Sequence, residues 1–147
     1  MRAMFRRMLC CALAVVPLLG NAQQPGVKVE NAWSRTALQG GTGVIYLTII
    51  DSGAPDRLVA ISAPVAAKAE LHESFTEQGI AKMRGMLALS LASGGTVTLA
   101  PGGYHIMLMD LKQSLRDGDS FPVTLNFEHA GPITATVTVR RVGRGPP

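Results

Sequence analysis

Beyond residue 22 the chain carries only four methionines, all within one 27-residue stretch: Met83, Met86, Met107 and Met109. Two of its three histidines, His72 and His105, sit at or just before that stretch, and no cysteine occurs after residue 11. Methionine used to fill a core is scattered among its layers. Thioether sulfur beside imidazole nitrogen, with no thiol in reach, is instead a donor set suited to Cu(I). Ten residues separate His72 from Met83, twenty-one separate Met83 from His105, and one separates His105 from Met107. On a strand, residues two apart share a face. His105 and Met107 therefore point together, and Tyr104, Ile106 and Leu108 point the other way. A hairpin through the polar stretch Glu73 to Gly79 brings His72 and Met83 to one end of the fold. Two imidazoles and two thioethers make a neutral, soft, four-donor cage for one monovalent ion.

The neighbouring residues divide less sharply. Met86 stands where it either flanks the ion as an auxiliary donor or shields it. Met109, one residue pair past Met107, is expected in the core, as are Trp33 and Tyr104. His129 has no methionine partner and reads as a surface histidine. Glu73 reads as a solvated hairpin carboxylate, with an outer role toward the free ring nitrogen of a ligating histidine as the alternative.

The elements that must hold these side chains are nearly all strands. Phe121, Val123, Leu125 and Phe127 alternate with polar residues, and Ile133, Ala135, Val137 and Val139 alternate with Thr134, Thr136, Thr138 and Arg140. Such period-two patterning marks half-buried antiparallel strands. Val44 to Ile50 is an unbroken apolar run fit for a central strand. Further strands are expected at 27–36, 56–63, 67–74, 80–87, 95–100 and 103–111. Turn signals separate them, among them Asp51-Ser-Gly53, Ser93-Gly-Gly95, Pro101-Gly-Gly103 and Asp117-Gly118. No long amphipathic helix is expected. Seven to nine short strands at this spacing predict an all-β sandwich or small Greek-key barrel.

Residues 1–22 read as a secretory signal peptide: Arg2, Arg6 and Arg7, a short apolar run, then Gly20-Asn-Ala22. The apolar run is well short of the roughly 20 residues of a spanning helix. Cys10 and Cys11 precede the run, not the order of a lipoprotein signal. Cleavage after Ala22 leaves one domain at 23–142 and a short tail, 143–147, in an exported, periplasmic protein. It also removes both cysteines and three of the 14 Lys and Arg residues, leaving a net charge near +1. That balance, with no basic stripe, speaks against nucleic acid and anionic surfaces, and the mature chain is expected to be a monomer with no membrane insertion.

The same residues exclude several kinds of chemistry. A blue-copper centre needs a cysteine thiolate, which the mature chain lacks. A zinc enzyme uses His with Asp, Glu or Cys and an open position, and methionine is a poor zinc ligand. No serine has a base and acid beside it in sequence, and no cysteine remains as a nucleophile. An enzyme is therefore not expected. A copper carrier, a copper storage or resistance binder, and a metal-free β-sandwich interaction module remain.

The spacing His-x10-Met-x21-His-x-Met, with Pro101-Gly-Gly-Tyr-His-Ile-Met-Leu-Met109, resembles the PCuAC family of periplasmic copper(I) chaperones. The resemblance runs from about Val29 to Val139 and includes Ala32-Trp-Ser-Arg35, Asp56-Arg-Leu58 and Leu111-Lys112. It implies a cupredoxin-like β-sandwich with His72, Met83, His105 and Met107 as ligands of one Cu(I). It also implies delivery of copper to the copper-A subunit of cytochrome c oxidase or another periplasmic copper protein. The chain departs from the pattern in two places. Glu73 stands where the family often has a methionine after the first histidine. The C-terminal tail lacks the histidines and methionines that form a second copper site in some members.

Overall fold

A computed structural model describes residues 26–143, and the expected signal peptide and the last four residues of the tail lie outside them. Ten strands account for the regular structure among the described residues: β1 (Val27–Arg35), β2 (Gly43–Asp51), β3 (Asp56–Ser62), β4 (Ala66–Glu77), β5 (Ile80–Gly85), β6 (Leu89–Leu91), β7 (Thr96–Leu99), β8 (Tyr104–Leu111), β9 (Ser120–Phe127) and β10 (Gly131–Arg140). Nine match expected segments. The tenth, β6, exceeds the expected seven to nine because Leu89-Ser-Leu91 is too short to display alternation. No described helix is long and apolar enough to cross a membrane.

Hydrogen bonds link the strands in the order β5-β4-β8-β2-β1-β10-β9-β3-β6, with β7 also on β2. All the neighbouring pairs are antiparallel except β1 with β10. The central place of β2 follows from its composition. Ile45, Leu47 and Ile49 are fully buried, and they meet Ile106, Leu108, Val123, Leu125, Val137 and Val139 in one apolar core. The alternation read at 121–127 is reproduced: Phe121, Val123, Leu125 and Phe127 are all buried.

Two features of this framework matter for the site. First, β7 and β8 share one edge of β2: Leu47 pairs with Leu99 and Ile45 with Ile106. Residues 100–103 thus interrupt an otherwise continuous edge, and β8 rejoins β2 at Ile106. Second, β4 is long enough to serve two neighbours. Its first part pairs with β8 and its second part with β5, and His72 lies in the overlap, opposite both His105 and Gly85. The expected connection at 73–79 is therefore mostly strand, and only Gln78 and Gly79 form the turn. Both have positive φ, 51° and 76°, as the two-residue type I′ hairpin requires.

Candidate metal centre

The register of β4, β8 and β5 places His72, Met83, His105 and Met107 on one face of the sheet. His72 lies directly opposite His105, and Glu70 opposite Met107. Across the other ladder, Met83 lies opposite Ser74. Opposed residues share a face, and so do residues two apart. The reverse face of β8 carries Ile106 and Leu108, both in the core. The His72 and His105 rings are stacked, with centroids 5.9 Å apart and planes 20° apart. Ser74 of β4 faces Met83, and Gly103, just before β8, lies beyond it; both are small, and the thioether reaches across β4 to the ring two strands away. His105 Nε2 and Met83 Sδ are 3.2 Å apart.

The loop before β8 sets the orientation of His105. Pro101 and Gly102 occupy the centre of a turn closed by Gly103 N–H donating to Ala100 C=O at 3.0 Å. Gly102 takes φ +85°, the value a type II turn demands of its third residue, and proline suits the second. The Gly103 carbonyl then accepts from Ser74 N–H at 2.9 Å and from His105 Nδ1 at 3.1 Å. Because a carbonyl cannot donate, Nδ1 carries the proton, and in the neutral ring Nε2 presents its lone pair to Met83. His72 repeats the pattern with a longer contact, Nδ1 to Glu70 C=O at 3.4 Å. A backbone partner on the far nitrogen is how metal-binding histidines are commonly held. Two facing lone pairs, one nitrogen and one sulfur, repel unless a cation joins them. With first-row bonds of about 2.0 and 2.3 Å at the tetrahedral angle, such donors lie about 3.5 Å apart, close to the separation found.

Exposure differs among the four. His105 is 5% exposed, whereas Met83, on the edge strand β5, is 50% exposed. His72 and Met107 are intermediate. Val44 of β2 lies opposite Met107, so Tyr46, two residues on, shares the ligand face. Tyr46 packs against Trp33 at 4.7 Å between centroids, and both are buried. The burial of Trp33 is as expected.

The remaining residues fall as follows. Met86 is packed against the core, with its N–H bonded to Leu71 C=O at 2.9 Å; it follows Gly85 and points to the side away from the donors. Met109 is half-buried opposite Lys68 on the ligand face and is not among the core residues, so the expected core packing is not met. The period-two rule already put Met109 with Met107, and it is Ile106 and Leu108 that point inward. His129 is exposed, and its ring sits 3.3 Å from the buried Asp56 carboxylate. Glu73 lies on the reverse face and is held by Arg84 at 2.6 Å, which fits a hairpin carboxylate and points it away from the four candidate donors. The carboxylate on the ligand face is Glu70, which the sequence reading missed. Its Oε2 is 3.9 Å from His72 Nε2, and its Oε1 contacts Lys68 Nζ. The hydrogen bond from Lys68 holds the Glu70 carboxyl below its usual range, outweighing desolvation and aided by the Lys68 and His72 charges.

Residues 27–139 match the LpqE-like family model, whose description is that of a lipoprotein family. The chain belongs to the LpqE-like family. The protein Lxx21020 of Leifsonia xyli subsp. xyli, named as a lipoprotein, is 33% identical over 132 residues, covering 85% of this chain and 79% of that protein. RP573 of Rickettsia prowazekii is 33% identical over 107 residues, 71% of this chain and 55% of that one. Among solved structures, the copper-bound PCuAC domain from PmoF2 aligns with a TM-score of 0.67 and 28% identity, over 79% of this chain and 93% of that domain. The Cu(I) form of DR1885 from Deinococcus radiodurans aligns at 0.62 with 27% identity, over 86% of each chain. The resemblance to PCuAC copper chaperone domains read from the sequence is thus met at the level of fold and family, and copper-bound proteins are among the similar structures.

Proposed function

We propose that this protein is an exported Cu(I) carrier, without catalytic activity, that binds one ion through His72, Met83, His105 and Met107. The observation that supports it most is the pairing of His105 Nε2 with Met83 Sδ at 3.2 Å, while Nδ1 is tied to a backbone carbonyl. In the neutral ring that arrangement leaves two soft or borderline lone pairs converging, with no hydrogen-bond donor between them. A thiolate-free site suits an oxidising compartment, because methionine cannot be captured in a disulfide. It also holds Cu(I) less firmly than a cysteine site, so the ion moves downhill to a thiolate-containing acceptor. The acceptor in this reading is the copper-A subunit of cytochrome c oxidase or another periplasmic copper protein.

The test is an anaerobic Cu(I) titration against a chromophoric chelator, for the wild-type protein and for His105→Ala and Met107→Ala. One equivalent bound, and weaker binding in both variants, is expected. A stoichiometry other than one, or wild-type affinity in both variants, overturns the site. Mixing the loaded protein with an apo copper-A domain then separates delivery from storage: movement of copper to the acceptor supports a carrier, and retention supports a storage or resistance binder.

A further inference from the structure

We propose that Glu70 is a further metal-contacting side chain, through which this same site also holds Cu(II), with His72 and His105 as its nitrogen donors. The inference rests on the copper reading above and extends it to the other oxidation state. Three observations carry it. Glu70 lies directly opposite Met107 in the β4–β8 ladder, two residues before His72, so it shares the donors' face. Its Oε2 is 3.9 Å from His72 Nε2. In the neutral ring, the His72 Nδ1 contact with the Glu70 carbonyl leaves Nε2 as an acceptor, so a lone pair and a carboxylate oxygen face one another across a gap that a cation fills.

Charge and ligand preference give the arrangement its meaning. Four neutral donors around Cu(I) leave a net charge of one. The same cage around Cu(II) carries two, beside a histidine that is 5% exposed, and burying uncompensated charge is costly. Bringing in one carboxylate restores the net charge to one. Cu(II) also favours tetragonal nitrogen and oxygen ligation over thioether sulfur. Glu70 and the two histidines supply that set, and Met83 and Met107 supply the set that favours Cu(I).

Among the described residues, no three His, Cys, Asp or Glu side chains already stand together as a metal-binding group. Glu70 is kept one step back by Lys68, whose ammonium it contacts. Both side chains are partly exposed, and closing the gap takes a rotamer-scale shift of the kind common on binding. Lys68 therefore competes with the ion for the carboxylate, which gives the two residues opposite signs in a binding experiment.

The experiment titrates copper(II) sulfate, buffered with glycine, into the wild-type protein, Glu70→Gln and Lys68→Ala, with electron paramagnetic resonance as readout. Each is also titrated with Cu(I) without oxygen. The wild-type protein is expected to take one Cu(II) with an axial spectrum and nitrogen hyperfine structure. Glu70→Gln should weaken Cu(II) binding roughly ten- to a hundredfold, Lys68→Ala should tighten it, and Cu(I) affinity should stay within about twofold in both. Unchanged Cu(II) affinity in Glu70→Gln, with Cu(I) binding intact, overturns the role of Glu70 and leaves the carrier reading standing. Equal loss of both ions in Glu70→Gln also overturns it, because the residue then acts on the site as a whole. Failure of the wild-type protein to bind Cu(I) overturns the carrier reading itself.

Discussion

Met83 and Met86 are three residues apart and chemically identical, yet the structure gives them opposite surroundings, and replacing each by leucine tests the assigned face of β5. Leucine conserves apolar volume and removes sulfur. Met83 is half exposed, so Met83→Leu should change stability by less than about 0.5 kcal/mol. Met86 packs on the core, and a volume-conserving swap there should cost less than about 1.5 kcal/mol. Copper binding should divide the other way. Met83 Sδ is the sulfur at 3.2 Å from His105 Nε2. Removing one of four donors exceeds the effect of removing a supporting partner, so a loss of at least ~100-fold in Cu(I) affinity, about 2.7 kcal/mol, is expected. Met86→Leu should bind as wild type within about twofold. The assay is anaerobic competition with a Cu(I) chelator, alongside thermal unfolding of the metal-free proteins. Equal loss of affinity in the two variants, or wild-type affinity in Met83→Leu, would refute the face assignment.

Gly79→Val forces a β-branched residue into φ +76°, a strain of about 1–2 kcal/mol; thermal unfolding should register it, and Cu(I) affinity should fall because the same turn places Met83. Asp56 accepts from the N–H groups of Arg57, His129 and Ala130 at 2.7, 3.0 and 2.8 Å, and Asp56→Ala should cost about 3 kcal/mol in a denaturant titration without altering the copper stoichiometry. Burial raises the Asp56 carboxyl pKa, but these backbone hydrogen bonds outweigh it, and the net shift is downward. The stability it contributes is therefore present above the unfolded carboxyl's ordinary value and is lost as pH falls through the lower folded one; acid unfolding curves of wild type and Asp56→Asn should converge there. Glu73→Gln removes an exposed pair with Arg84 and should shift stability by under about 1 kcal/mol, with Cu(I) affinity unchanged.

What the sequence made legible was whatever period-two alternation and local turn chemistry encode. Phe121 to Phe127 and the pairing of faces at His105 and Met107 follow from alternation alone. Pro101-Gly-Gly103 marked a turn, although its use of the Gly103 carbonyl to orient His105 depends on Ser74, 29 residues earlier in the chain. The features that escaped are long-range. Whether Glu70 or Glu73 shares the face of His72 is decided by which face of β4 meets the core; Glu73 reads correctly as a hairpin carboxylate, and the sequence reading passes over Glu70. Leu71 is buried in the core and Glu73 shares its parity, so alternation carried forward from Leu71 would have placed Glu70 beside His72. The β4–β5 register, which sets Ser74 rather than a bulky residue opposite Met83, has no local signature.

In the proposed Cu(I) site, the uneven support of the four donors bears on release. His72, His105 and Met107 stand on β4 and β8, each flanked by hydrogen-bonded strands on both sides near the site. Met83 stands on β5, the last strand of the sheet, attached by one ladder and a two-residue turn. A donor on an edge strand moves at the lowest cost, since only one set of backbone bonds must yield. It is also the donor that solvent and a partner reach, at 50% exposed against 5% for His105. An incoming thiolate that displaces Met83 meets an ion still held by two imidazoles and Met107, so copper need never be free in solution during exchange. Reversing the exposure, by tying β5 down or burying Met83, should slow transfer more than it changes affinity. Cu(I) hand-over followed by stopped flow, with a disulfide engineered between β5 and β4 on the face carrying Glu73 and Arg84, reads that difference. Equal transfer rates in the oxidised and reduced forms would mean that Met83 is not the donor that leaves first.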